Sequence, residues 1–223
     1  MRTAWIALTT VALSLGLLLP GHPIALAQTM QMPTPASGAR ADDHATPAEA
    51  AFVERVAKSL LARYPTAADA EKAGYIRSTG IEEDGTAVFF NRDFTHIDEL
   101  HPNFLWYDRH DNLVGLDYEF PQSAYPKAPV SLFPVGAGRW TVVHEHVHFG
   151  YRVGGGAIVL RGARAYPNLR SEPITAAALQ ADHLLPAGAT LVWAYHHPAC
   201  WDLGFWLIPN PSGAFAELNP DVR

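Results

Sequence analysis

Trp140-Thr141-Val142-Val143-His144-Glu145-His146-Val147-His148-Phe149-Gly150-Tyr151 is the stretch on which the fold turns. Its β-branched and aromatic residues predict one continuous strand. Alternate side chains of a strand share a face, so His144, His146 and His148 are expected on one side and Glu145 on the other. Further strands are expected at residues 87–91, 104–108, 113–120, 157–161, 190–196 and 203–208. Arg109-His110-Asp111-Asn112 reads as a hairpin turn between two of them. The Pro-rich stretch 121–135 is long enough to form a lid or rim.

Helices are expected ahead of the strands. Thr46-Pro47-Ala48-Glu49 has the order of a capping box with Pro at the first helical position. Phe52, Val56, Leu60 and Tyr64 follow as an apolar stripe at four-residue spacing. A second helix over 66–73 is stopped by Gly74. A third is expected over 174–182, with Ser171 or Glu172 near its start. These elements predict an α+β fold: two N-terminal helices packed on a largely antiparallel, curved sheet or barrel, forming a single domain over 46–223.

Residues 1–27 read as a signal peptide. Arg2 supplies a basic start, an apolar run follows from Trp5 to Leu19, and Ala25-Leu26-Ala27 has the form of a cleavage site. The expected destination is the periplasm or beyond. Residues 28–45, rich in Pro, Ala, Gly and Thr without periodicity, predict a disordered lead-in. Removing Arg2 with the leader moves the formal charge from −6 to −7. This acidic balance argues against nucleic acid or, after cleavage, a membrane surface as the main partner. A small-molecule ligand or substrate is expected instead. Cys200 is the only cysteine, so no intramolecular disulfide forms. It reads as a buried hydrophobe, an intermolecular disulfide partner or a soft ligand.

The histidines point to a metal. Strand residues i and i+2 lie about 6.6 Å apart and i and i+4 about 13 Å, so two neighbouring imidazoles can share an ion and three cannot without a bulge. His146 belongs to either pair. His196 or His197, which face opposite ways, and Asp117 or Glu119 are the residues that would complete a site. Three His and a water suit catalytic zinc; two His and a carboxylate suit iron, and imidazole also suits copper. The competing reading is a solvated face, with Asp117 and Glu119 equally at home there. Glu145 reads as an edge residue, a core pair or an orienter of a ligand imidazole. Neither G-x-S-x-G nor H-E-x-x-H occurs, which disfavours serine hydrolases and zincins.

Three segments, Ala70-Glu71-Lys72-Ala73-Gly74-Tyr75, His101-Pro102-Asn103-Phe104-Leu105-Trp106-Tyr107-Asp108 and Leu113-Val114-Gly115-Leu116-Asp117-Tyr118, share one resemblance with a longer C-terminal motif. That motif is Trp201-Asp202-Leu203-Gly204-Phe205-Trp206-Leu207-Ile208-Pro209-Asn210-Pro211-Ser212-Gly213-Ala214-Phe215-Ala216-Glu217-Leu218-Asn219-Pro220. Together they resemble an uncharacterised family of bacterial, often exported, proteins. The resemblance implies an exported domain. The family pattern carries a His-Glu-His set at positions where this chain has Phe89 or Phe90, Asp117 and Gly204. The H-x-H with Pro186-Ala187-Gly188 and His196 also resembles cupins, although Arg152 and Val153 stand where a cupin carries Glu. Two functions remain open: an exported metalloprotein or metal-dependent enzyme, and a non-catalytic ligand-binding domain whose pocket is lined by the aromatic residues of the β half.

Overall fold

The computed structural model describes residues 44–92, 96–164, 167–170 and 172–222. The signal peptide expected at 1–27, and all but the last two residues of the lead-in, lie outside the described residues. Among those described, no helix is long and apolar enough to cross a membrane.

Helix α1 (Pro47–Arg63) begins at the expected capping box: Thr46 and Glu49 each accept from the other's backbone N–H. Glu49 also holds Arg139, and this buried ion pair ties the helix start to the loop ahead of the fifth strand. The carbonyl of His44 accepts from the same guanidinium, so the chain is docked from there onward. Helix α2 (Ala67–Lys72) ends before Gly74, whose φ of 94° suits glycine. Helix α3 (Ala176–Ala181) is capped by Thr175, later than the sequence suggests.

Among the described residues nine strands follow the order β1 (Ile76–Arg77), β2 (Ala87–Phe90), β3 (Phe104–Tyr107), β4 (Leu113–Pro121), β5 (Thr141–Val143), β6 (His146–Val153), β7 (Val159–Arg164), β8 (Ala189–His197) and β9 (Cys200–Trp206). They form two antiparallel sheets, β1-β2-β3-β4-β9-β5 and β7-β6-β8. The fold is therefore α+β, but neither a single sheet nor a closed barrel: the ordering leaves both sheets open.

The expected strand over 140–151 is in fact two strands in two sheets. The chain leaves the larger sheet after Val143 and joins the smaller one at His146. It returns between His197 and Cys200. Val143 pairs with Cys200 and His146 with His197, so both crossings lie at one level. No Gly or Pro marks the first crossing, which is why the β-branched run reads as unbroken.

Side-chain alternation then sets the layers. Leu116, Tyr118, Phe120, Leu203 and Phe205 face α1 through Phe52, Val56 and Leu60. In the smaller sheet Val147, Phe149 and Tyr151 face α3 and Leu169, Ile174 and Leu185. The remaining faces meet each other: Phe90 packs on Tyr195 and Trp193, and Phe104 on His197. Glycine allows close cover there. A Cβ on Gly115 would fall 2.1 Å from the Trp106 ring, and one on Gly150 2.6 Å from Trp193. The 201–220 motif closes the C-terminus, with Trp206 donating to the Ala216 carbonyl and the fully buried Asn219 to that of Pro209.

Candidate metal centre

The inner faces place a polar seam between the sheets. Glu119 projects from β4, Cys200 opens β9 and His197 closes β8; all three are buried, and one ligand atom from each lies within 4.8 Å of the others. Four tetrahedral ligands on zinc stand roughly 3.3–3.8 Å apart, so closing on an ion needs movements of about an ångström. Two of the three are oriented. His197 Nδ1 donates to the Pro198 carbonyl at 2.8 Å, which turns Nε2 toward Glu119 Oε2 at 2.5 Å. A carbonyl on the far ring nitrogen is the usual support of a metal-bound imidazole. Asn103 accepts from the Glu119 N–H and donates to its carbonyl, fixing the backbone that carries the carboxylate. Beyond the close contact with His197, Glu119 Oε2 is buried with no hydrogen-bond donor among the described residues.

Electrostatics follow from this packing. Burial pulls the His197 pKa down, but the Glu119 carboxylate outweighs it and the net shift is upward. Burial, then Glu119 and Asp202, push the Cys200 thiol far up. A cation here would have to displace the proton that burial holds on the Cys200 thiol.

Asp117 and Asp202 extend the seam, forming a second close group with Glu119. Trp106 Nε1 donates to Asp117 at 2.6 Å and Thr141 to Asp202 at 2.9 Å. Burial, then the neighbouring carboxylates of Asp202 and Glu119, raise the Asp117 carboxyl well above its ordinary value.

The sequence-derived histidines divide. His146 and His148 converge on the inner face, their Nε2 atoms 2.9 Å apart, and His146 stacks on His197 at 4.2 Å between ring centres. Burial, then the neighbouring imidazole His197, lower the His146 pKa to about 3; burial, then His146, put His148 well below the ordinary value. Both are neutral. His144 lies in the crossing, exposed, and contributes its carbonyl to His146 Nδ1 at 2.7 Å. His196 points the other way and meets Glu145 at 2.9 Å. Glu145 is thus a pair for His196, with Arg170 at 3.7 Å. Only one of the adjacent histidines reaches the seam, as strand alternation requires.

A cavity of about 890 Å³ opens onto this centre. Glu119 and Cys200 lie in its wall, together with Phe90, Phe104, Phe120, Tyr125, Phe133 and Tyr195. The Pro-rich loop supplies Ala124, Tyr125, Leu132 and Phe133, so it forms part of the rim. The rim charges are already engaged: Arg92 with Glu172, Asp98 with His101, and Glu99 with Arg55. No family model, curated protein or solved structure matches the chain.

Proposed function

We propose that this is an exported metalloprotein whose ion is held by Glu119, His197 and Cys200 and faces a small molecule in the aromatic cavity. One observation carries the reading: a buried carboxylate, imidazole and thiol converge, and two of them, Glu119 and Cys200, lie in the wall of a cavity large enough for a ligand. Such a mixed O, N and S set suits zinc, and the thiolate also favours copper over harder ions. Three protein ligands leave a fourth position open toward the cavity, the arrangement of a catalytic rather than a closed structural site. Export rests on the 1–27 leader and on the resemblance of the 201–220 motif to exported bacterial proteins.

The second reading, a non-catalytic binding domain, is favoured by the paired rim charges and the aromatic lining. Metal loading separates the two. Purified protein loaded with Co²⁺ should show a thiolate-to-cobalt absorption band that Cys200→Ser abolishes and Glu119→Gln weakens. Affinity should fall by more than the roughly 10–100-fold that losing an outer partner costs. Absence of the band in the unaltered protein would overturn the metal reading and leave the binding domain.

A further inference from the structure

His146 and His148 form a second set of metal ligands that the Glu119–His197–Cys200 centre does not use. His146 Nδ1 faces a carbonyl oxygen, that of His144, so it must carry the proton. In the neutral ring Nε2 is then a bare lone pair. That lone pair faces His148 Nε2 at 2.9 Å. Without an ion, His148 Nε2 must donate, which leaves His148 Nδ1 a bare acceptor; that atom is buried and has no hydrogen-bond partner among the described residues. Two imidazole nitrogens on one tetrahedral ion stand about 3.3 Å apart, so a shift of a few tenths of an ångström admits a metal between them.

From this juxtaposition we infer that His146 and His148 hold a second ion next to the first, making a two-metal centre along the seam. The inference rests on the metal reading proposed above for Glu119, His197 and Cys200. His197 links the positions: its Nε2 edge turns to Glu119, while its ring face stacks on His146. Imidazole ligands alone suit zinc, copper or nickel. Two adjacent ions can clamp one substrate oxygen between them or separately hold an attacking water and a leaving group.

Titration of the full chain with Co²⁺, followed by equilibrium dialysis and elemental analysis, tests this. Two equivalents should bind, and only one should contribute to the thiolate band. His148→Gln should bind one equivalent with the band intact. Cys200→Ser should bind one equivalent with no band. Circular dichroism melts identify any variant that has failed to fold, and His146→Gln provides an independent removal of the same ion. One equivalent in the unaltered protein, unchanged in both His→Gln variants, overturns the second site and leaves the first. One equivalent lost in both His148→Gln and Cys200→Ser also overturns it, because the imidazoles then belong to a single ion. No bound metal in any form means that the underlying metal reading itself has failed.

Discussion

Asn103 grips the Glu119 backbone with both ends of its amide, replacing the strand pairing that β3 has not yet begun at that point. Asn103→Ala would leave a backbone donor and acceptor without their partners, at a cost of about 1–3 kcal/mol. It should also loosen metal binding, although the residue touches no ligand atom of the ion; a metal-affinity titration beside a denaturant melt separates the two effects. Protonation gives another expectation. Cys200 is shifted far upward and keeps its proton at neutral pH, and the His197 value is raised as well. An ion must displace the thiol proton, so affinity should rise with pH, and calorimetry in buffers of differing ionisation enthalpy should detect proton release on binding. The apo protein has the opposite dependence for His197. Its raised value contributes stability below the ordinary 6.5, and that stability is lost as pH rises through the folded-state value. Glu119 was legible in sequence only as one of two carboxylates sharing a strand face. Its burial depends on a second sheet laid over that face, and nothing local in Leu113-Val114-Gly115-Leu116-Asp117-Tyr118-Glu119-Phe120 announces such a cover.

Helix α1 was the most legible element because its signals are local: a cap, a proline and a stripe within one run. What the run does not disclose is that Glu49 serves two purposes, closing the capping box and meeting Arg139 from a distant loop. Burial alone would raise its pKa, but the Arg139 hydrogen bond and the Thr46 and Gly136 N–H groups bring it to about 2. A depressed carboxylate contributes stability above its ordinary 4.5, and that stability is lost as pH falls from there toward 2. Arg139→Gln should destabilise the protein by about 3 kcal/mol at pH 7. The acid-induced loss between these two pH values should shrink in the same variant, which urea melts across that range would reveal. Seven strands were legible in approximate position; the short β1 was not, and the run expected as one strand is β5 and β6. Their close contacts were not legible either. Gly115 shares the strand face of Asp117 and Glu119, and Trp106 occupies the space where its side chain would go. Gly115→Ala should cost about 1–3 kcal/mol through displacement of that ring and should weaken its hydrogen bond to Asp117.

At the scale of the molecule, the proposed ion takes ligands from both sheets, Glu119 and Cys200 from the larger and His197 from the smaller. Loading should slow amide hydrogen exchange in β6 and β8 while leaving β2 little changed, and equal protection throughout would argue against an ion at the seam. The two-sheet plan was not legible because its first crossing has no sequence punctuation; only Pro198, at the return, marked an end. Topologically, the chain enters the smaller sheet once and leaves it once, and the two places are antiparallel partners. Residues 146–197 therefore form one very large loop of a β5–β9 hairpin, carrying their own apolar core around α3. Replacing residues 144–199 with a two-residue Asn-Gly turn should close that hairpin directly. The shortened chain would keep the capping box, α1 and the larger sheet, with Glu119 and Cys200 bared on an open face. Two of the three proposed ligands, Glu119 and Cys200, sit on the hairpin's own sheet and His197 on its long loop, so neither part presents the whole set alone.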